Sequence, residues 1–425
     1  MGGGFIKSFS EELRREEIPA YKSFAKWIVI GLASGAVIGL IGALFHFCSS
    51  EAELLRSDNS WLIFLLPVAG IAIAFLYNIL NYSHDKGTNL VLLAVRDNKE
   101  MGIRHAVCIF VASVLTHLCG GSSGREGASL QMGAALGSQF GRTLHLDEDD
   151  KRILTMCSMS AMFAAVFGTP VTASFFSMEV ISVGIFYYSA IVPCVLAALI
   201  ASSISAYFGA SHIEVSVLVP DASPENYLKT ALLGVICAAI SIIFCLAMSQ
   251  TLKLFRKIKN HYIRAALGGS IIVLLTLIAG TYDYNGTGGA MIVSAFTERP
   301  FAAAFAIKLV FTVITLGSGF KGGEIFPVFF IGSTFGSFIS QFMGFDCSMG
   351  AAVCMAALFC GVTNCPIASI LLCIELFGSE GILFYVLACA ISYMLSGYRG
   401  LYSEQKILYS KTKTKYINKR IGDKK

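Results

Sequence analysis

The apolar runs of this chain are mostly too short to cross a bilayer, and glycine or proline interrupts them. A spanning helix needs about 20 residues. Only four runs reach that length, and they cover 27–47, 61–80, 187–208 and 227–255. The shorter runs cover 103–118, 154–167, 171–184, 265–280, 301–316, 327–343, 350–360, 367–377 and 382–395. Short, interrupted hydrophobic segments indicate helices that end part-way through a membrane.

Composition supports a polytopic membrane protein. The chain has 425 residues, of which 55% are hydrophobic and 14% charged, whereas soluble domains carry about 25% charged residues. Backbone polar groups in lipid must be bonded internally, so we expect an all-α fold. The 13 cysteines show no CxxC pairing, so the sequence predicts neither a disulfide framework nor a cysteine-based metal site.

The basic residues are unevenly distributed along the chain. Nine Lys and Arg residues follow Tyr398 and five more lie within 253–264, but 212–226 has none. The positive-inside rule places the first two segments, and both termini, in the cytoplasm of a plasma-membrane protein, with 211–226 as an external loop. Residues 1–25 resemble an amphipathic surface segment rather than a cleavable signal. A basic tail can also bind nucleic acid, but this one is short, and we expect no nucleic-acid partner.

A glycine-rich break at 120–141 contains one acidic side chain, Glu126, next to Arg125. Glycines let the backbone approach closely and expose its N–H groups. The start of the following helix attracts anions through its free N–H groups and its dipole. A carboxylate there can compete with a dissolved anion and can also take a proton, which predicts an anion gate. The alternative is a glutamate that merely caps a helix.

The chain also repeats itself. Seven positions of the glycine-rich break recur 199 residues later, and they pair as Gly124/Gly323, Ala128/Pro327, Met132/Ile331, Gly133/Gly332, Leu136/Phe335, Gly137/Gly336 and Ser138/Ser337. A second block, 170–179, recurs at 366–375. We therefore expect two duplicated halves, 26–210 and 227–400, followed by a tail at 401–425. Chance similarity is the alternative. In transporters such halves commonly pack in opposite orientation around a midplane site, which would combine both breaks with the loop around Gly87.

Several other side chains are candidates for chemistry. Glu324 lies in a second glycine-rich break, at 317–327. A carboxylate at a broken helix in so apolar a chain indicates proton-coupled ion movement. The alternative is a residue at the aqueous mouth or in a structural hydrogen bond. Glu179 and Glu375 occupy matched positions, which favours a structural role such as bonding backbone N–H groups of a neighbouring loop. His117 and Cys119 lie near the first break, but no ligand spacing or nucleophile motif accompanies them, so we expect a core histidine, no metal and no cofactor.

These motifs resemble those of the CLC family of anion channels and anion/proton antiporters. The sequence GREGASLQMGAALG resembles that family's GxEGP segment, with Glu126 as the gating glutamate and Ala128 in place of proline. GGEIFP resembles the GxFxP segment, and GLYS at 400–403 resembles the segment that carries the inner-gate tyrosine, here Tyr402. The resemblance implies a CLC-like inverted repeat and a homodimer with one pathway in each subunit.

Three departures resemble the family's fluoride/proton antiporter branch. The loop that usually reads GSGIP is KGTNL here, so Thr88 replaces its serine. Val180 stands where chloride/proton exchangers usually carry an inner glutamate, and Glu324 adds a carboxylate to the second motif. The resemblance implies fluoride export in exchange for protons, with Glu126 carrying the proton and Glu324 assisting. The anion-binding residues expected from it are Gly87, Thr88, Asn89, Gly124, Arg125, Gly127, Ile325, Phe326 and Tyr402.

Other functions remain open on the sequence alone. The first is a chloride channel or chloride/proton antiporter of the same family. A polytopic membrane enzyme would need a metal-ligand set or an activated nucleophile, and neither is visible in the sequence. A purely structural scaffold would not explain the duplicated breaks.

Overall fold

The computed structural model describes residues 18–82, 86–210 and 215–421, and this part is mainly helical. Residues 1–17 of the predicted amphipathic segment, 211–214 of the predicted external loop and 422–425 of the tail lie outside the described residues. In chain order, the α-helices are α1 (Ile18–Asp58), α2 (Leu66–Ile79), α3 (Thr88–Asp97), α4 (Ile103–Leu118), α5 (Glu126–Thr143), α6 (Glu148–Phe167), α7 (Pro170–Glu179), α8 (Ile191–Tyr207), α9 (Pro224–Arg256), α10 (His261–Ala279), α11 (Gly289–Ser294), α12 (Ala304–Ser318), α13 (Ile325–Met343), α14 (Cys347–Thr363), α15 (Pro366–Phe377) and α16 (Ile382–Leu395).

The helices follow the apolar runs closely. Helices α4 and α16 coincide with their predicted runs, whereas α1 extends beyond its run at both ends. The run at 61–80 divides into a 3₁₀ segment, Ser60–Leu65, and α2, which has Pro67 in its first turn. Within the described part, six helices are long and apolar enough to cross a membrane, and five apolar helices are shorter. This mixture confirms the predicted fold of broken helices.

Helix starts depend on polar caps that the apolar runs do not include. The Asp147 side chain accepts a hydrogen bond from the Asp150 N–H, and Ser223, Asn260 and Asp346 cap α9, α10 and α14 in the same way. Helix α6 therefore begins at Glu148, inside the charged segment 142–152. Acidic residues are stabilised in a first helical turn by the helix dipole.

The duplicated glycines let each broken helix pack closely on the helix that follows it. A Cβ atom at Gly133 in α5 would lie 2.6 Å from the Ser158 carbonyl oxygen in α6, and one at Gly332 in α13 would lie 2.6 Å from the Met355 Cα in α14. Any larger side chain would force these helix pairs apart. Matched positions of the two repeats thus make the same kind of contact, which supports the duplication.

Helices α7 and α15 bind each other reciprocally through their glutamates. Glu179, at the end of α7, accepts hydrogen bonds from the Ile367 and Ala368 N–H groups at the start of α15, at 3.1 and 2.9 Å. Glu375, near the end of α15, accepts from the Val171 and Thr172 N–H groups at the start of α7, at 2.8 and 2.7 Å. The two helices therefore lie antiparallel, and the structural role predicted for these glutamates is confirmed, with helix starts rather than a loop as the partners.

A small sheet near the tail is the one departure from an all-helical fold among the described residues. Strand β1 (Ser182–Val183) pairs in parallel with β2 (Lys406–Tyr409), which pairs antiparallel with β3 (Tyr416–Arg420). Val183, Ile407 and Ile421 form a separate buried apolar cluster under these strands. Because β1 directly follows α7, this sheet joins the tail to the first half of the chain.

Candidate functional site

The two glycine-rich breaks meet at a point where the backbone of each is extended. Gly124 and Gly323 form an antiparallel bridge, with N–H to carbonyl distances of 2.7 and 2.6 Å in the two directions. A Cβ atom at Gly124 would overlap the Glu126 carboxylate, and one at Gly323 would overlap the backbone N–H of Gly127. Only glycine permits this approach, so the starts of α5 and α13 are brought together by the residues that the repeat identified.

The Glu126 carboxylate lies buried between the two helix starts. Its Oε1 atom accepts a hydrogen bond from the Arg125 N–H at 3.1 Å, and its Oε2 atom accepts one from the Phe326 N–H at 3.3 Å. We expected the donors at the start of the helix that follows the break. The structure instead supplies one donor from the residue before Glu126 and one from the opposite half, at the start of α13. The carboxylate occupies a place where free N–H groups would otherwise attract an anion.

Glu324 lies at the other side of the same crossing, as the residue immediately before α13. Its Oε2 atom is buried and has no hydrogen-bond partner among the described residues. A Cβ atom at Gly127 would lie 3.3 Å from that oxygen, so the second carboxylate approaches the start of α5. The Lys321 ammonium lies 4.2 Å from the centre of the Tyr77 ring.

The Tyr402 side chain is 1% exposed, and its hydroxyl group has no hydrogen-bond partner within the described part of the chain. Both Glu324 and Glu126 act electrostatically on this hydroxyl. A buried hydroxyl that lacks a protein partner is a donor for a ligand or water. The structure therefore places Glu126 and Glu324 at the same crossing, and the common site with Tyr402 stays a prediction.

The KGTNL loop supplies the start of α3. Gly87 has a φ of 59°, a backbone conformation that favours glycine, and the buried Thr88 is the first helical residue. The Asn89 Oδ1 atom accepts hydrogen bonds from the Glu404 N–H at 2.9 Å and from the Ser403 hydroxyl at 3.4 Å. Asn89 thus holds the segment that carries Tyr402, and only its amide nitrogen is left for the predicted contact with an anion.

The Arg125 guanidinium points away from the glutamate beside it. It donates to the Ser50 hydroxyl and to the Glu53 carboxylate, each at 2.9 Å. Its contribution next to Glu126 is therefore its backbone N–H. Two further expected site residues lie at the start of α13. Ile325 is fully buried, and the centre of the Phe326 ring lies 5.3 Å from the centre of the Phe167 ring.

His117 behaves as a core histidine. It is buried, and its Nε2 atom lies 3.2 Å from the Ser123 carbonyl oxygen. Among the residues that the structure describes, no group of three or more His, Cys, Asp or Glu side chains is placed to hold a metal ion.

Sequence reasoning missed three charged residues around this site. Glu53 binds Arg125, Lys308 is fully buried in α12, and Glu404 forms an ion pair with Lys86 at 2.9 Å. Lys308 had a visible signal, because a single cation inside an apolar run is a functional candidate in a membrane protein. Glu53 and Glu404 had none, since each lies in a polar stretch where charged side chains are common.

Comparisons with known proteins agree with this geometry. A family model described as voltage gated chloride channel matches residues 69–397. The chain is 32% identical over 409 residues to a chloride/fluoride channel protein of Pseudomonas syringae pv. tomato, and the match covers 94% of this chain and 90% of that protein. A voltage-gated ClC-type chloride channel of Escherichia coli O9:H4 is 27% identical and covers 67% of this chain and 71% of its own length.

Solved structures show the same fold. The crystal structure of a CLC-type fluoride/proton antiporter superposes with a TM-score of 0.87 at 30% identity, covering 90% of this chain and 98% of that one. A slow cyanobacterial Cl⁻/H⁺ antiporter has the same fold with a TM-score of 0.75 at 19% identity, covering 87% and 94% of the two chains. Together with the crossing of two broken helices around Glu126, these matches show that the chain belongs to the voltage gated chloride channel (CLC) family of multi-pass membrane proteins.

Proposed function

We propose that this protein exports fluoride across the cell membrane in exchange for protons and catalyses no enzymatic reaction. The observation that carries the proposal is the hydrogen bond from the Phe326 N–H to the Glu126 carboxylate at the start of α13. A titratable side chain there occupies the donors that an anion needs. Binding of the anion and protonation of Glu126 therefore become linked.

The exchange follows from this competition. When Glu126 is ionised, its carboxylate takes the N–H groups of Arg125 and Phe326. When Glu126 is protonated, its attraction to these donors weakens, because hydrogen bonds to a charged acceptor are the stronger ones. The side chain then leaves with its proton, and an anion takes its place between the helix starts.

Fluoride is favoured over chloride by the kind of donors around the site. Fluoride is small and strongly hydrated, so it needs close hydrogen-bond donors in place of its water shell. The Tyr402 hydroxyl has no hydrogen-bond partner in the described part of the chain. Thr88 and Asn89, the first two residues of α3, add a hydroxyl group and a side-chain amide nitrogen as donors. The chloride/fluoride channel protein and the fluoride/proton antiporter that resemble this chain support the same substrate.

The proton needs a route that does not use an inner glutamate at the end of α7. Val180 occupies that position and is buried. Glu324 is the remaining carboxylate at the crossing, and its Oε2 atom is unpaired within the described residues. We assign to Glu324 the role of passing the proton or resetting the Glu126 side chain.

The remaining proposals concern assembly and placement. The protein forms a homodimer with one pathway in each subunit, and both termini face the cytoplasm. The membrane part divides into repeats at 26–210 and 227–400, a division supported by the bridge between Gly124 and Gly323. The segments 1–25, 211–226 and 401–425 are an N-terminal cytoplasmic segment, an external loop, and an inner-gate segment with a basic cytoplasmic tail.

The test is transport by purified protein in liposomes loaded with fluoride or with chloride. Anion efflux is recorded with an ion-selective electrode while internal pH is followed with a dye. We expect fluoride efflux to drive protons inward against their gradient and chloride efflux to be much slower. Chloride efflux equal to or faster than that of fluoride would favour the chloride antiporter or channel, and anion efflux without proton movement would refute exchange.

A further inference from the structure

Glu53 is a partly buried carboxylate near the end of α1, and it is not among the matched residues of the repeat. We propose that Glu53 is a positioning residue for the Arg125–Glu126 backbone, and that it sets how tightly fluoride and proton movement are coupled. The inference rests on the proposed fluoride/proton exchange, and it concerns a residue outside the crossing itself.

Glu53 receives three hydrogen bonds from two distant parts of the chain. Its Oε2 atom accepts from the Arg125 guanidinium at 2.9 Å and from the Thr287 hydroxyl at 3.1 Å. Its Oε1 atom accepts from the Thr287 N–H at 3.0 Å. One side chain therefore joins α1, the first glycine-rich break and the segment between α10 and α11.

The connection to the gating glutamate is direct along the chain. Arg125 immediately precedes Glu126, and its N–H donates to Glu126 Oε1 at 3.1 Å. The Arg125 guanidinium is held at both of its terminal nitrogens, by Glu53 and by the Ser50 hydroxyl. Fixing the guanidinium restricts rotation of the Arg125 backbone, and with it the direction in which this N–H points. Hydrogen bonds donated by a charged guanidinium are shorter and stronger than those between neutral groups.

The Thr287 side of the contact is equally fixed. Lys308 in α12 donates to the Tyr284 and Gly286 carbonyl oxygens at 3.1 and 2.8 Å. The Asn285 amide donates to the Gly120 carbonyl oxygen at 2.9 Å. The segment 284–287 is thereby attached to the second half through Lys308 and to the first break through Asn285. Thr287, which donates to Glu53, therefore lies in a segment that these hydrogen bonds hold in place.

Charge explains why a carboxylate is needed at this position. Arg125 and Lys308 both interact electrostatically with Glu53, as does Arg56 from the same helix. Without Glu53, the Arg125 guanidinium would be left partly buried beside uncompensated positive charge, which is costly. The adjacent Glu126 is then the carboxylate that Arg125 can reach with the least movement. An ion pair between these neighbours would hold Glu126 in place and remove it from the exchange cycle.

The experiment compares Glu53→Gln with the wild type and with Glu51→Gln in the fluoride-loaded liposome assay. Glu51 is an exposed carboxylate on the same helix and serves as the matched control. We expect Glu53→Gln to slow fluoride-driven proton uptake about tenfold, the order expected when a reacting group is displaced by a fraction of an ångström. We also expect it to change the number of fluoride ions moved per proton, whereas Glu51→Gln should match the wild type in both.

The coupling ratio separates positioning from a purely structural role. Loss of folded protein lowers fluoride and proton flux in proportion and leaves their ratio unchanged, so a reduced flux with the wild-type ratio would overturn the proposal. If Glu53→Gln does not fold, Thr287→Val removes one bond to Glu53 and should move the ratio in the same direction. If the wild type exchanges fluoride for protons and Thr287→Val has the same ratio of fluoride to protons, the proposal is also overturned. Absence of exchange in the wild type would instead refute the proposed function.

Discussion

The Glu126 carboxylate accepts a hydrogen bond from the backbone N–H of Phe326, 3.3 Å away and 200 residues later in the chain. This contact joins the two halves of the protein at one titratable group. The helix that attracts the carboxylate, α13, belongs to the second half, while the carboxylate belongs to the first. A change in the protonation of Glu126 therefore alters the contact between the halves directly.

Replacing Glu126 by glutamine should abolish proton coupling. The amide keeps the size of the side chain and can still leave the helix start, but it cannot carry a proton in and out. We expect fluoride to move without fluoride-driven proton uptake, measured with the electrode and the internal pH dye together. Glu225→Gln, an exposed carboxylate in the first turn of α9, is the control. Normal proton uptake in Glu126→Gln would contradict the gating role.

Replacing Glu324 by glutamine should slow proton transfer while leaving fluoride binding intact. The Oε2 atom has no partner in the described part of the chain, so the substitution breaks no hydrogen bond there. We expect proton flux to fall by about 100-fold or more, the range for loss of a positioned proton-transfer group. Fluoride binding is measured separately by calorimetry, and Glu324→Asp should restore part of the proton flux. Equal fluxes in Glu324→Gln and the wild type would exclude a proton role.

Replacing Tyr402 by phenylalanine should weaken fluoride transport without weakening the fold. The Tyr402 hydroxyl is buried and unpaired within the described residues, so its removal breaks no hydrogen bond there and should not lower the free energy of unfolding. In the variant, a fluoride ion bound at the site would have one hydrogen-bond donor fewer. The prediction is tested by thermal unfolding in detergent and by fluoride binding. Tyr398→Phe, at an exposed tyrosine of the same region, is the matched control; equal fluoride affinity in the two variants would contradict it.

Replacing Glu179 by glutamine should destabilise the protein without changing the coupling ratio. The carboxylate accepts hydrogen bonds from two N–H groups at the start of α15, and hydrogen bonds to charged groups contribute about 1.5–3 kcal/mol each. We expect a lower midpoint of thermal unfolding and an unchanged number of fluoride ions per proton. Glu375→Gln should behave in the same way, because its contacts to α7 are equivalent. A changed ratio in either variant would indicate a role in transport.

The stability of the folded protein should rise with pH above 8 through Lys411 in the tail. Lys411 donates to Asn364, Tyr393 and Ser396, and burial lowers the pKa of its ammonium from 10.5 to about 8. Between these two values the unfolded chain binds the Lys411 proton and the folded chain does not, so folding stability rises with pH across this window. We expect the unfolding temperature of the wild type to increase relative to Lys411→Met between pH 8 and pH 10. A constant difference between the two proteins would contradict this sign.

Much of the fold was predictable because the bilayer restricts what an apolar chain can do. Unpaired backbone groups are costly in lipid, so apolar runs become helices, and the run at 103–118 became α4 with the same bounds. The repeat pairs Gly124 with Gly323, and these two residues form the bridge at the crossing. The start of α6 and the sheet in the tail were harder to predict, since a side-chain cap begins α6 at Glu148 and a small buried cluster around Ile407 underlies the sheet.

The sequence by itself determined the membrane class and the duplicated broken helices, and it predicted Glu126, Glu324 and Tyr402 as site residues. These conclusions follow from local composition and short motifs, which do not depend on where the residues lie in the fold. Only the tertiary structure decided which donors Glu126 meets and where the Arg125 side chain goes. Hydrogen bonds act over about 3 Å, whereas Phe326 lies 200 positions from Glu126 and Glu53 lies 72 positions from Arg125. Packing of the two halves brings Phe326 to Glu126, and packing of α1 against the first break brings Glu53 to Arg125.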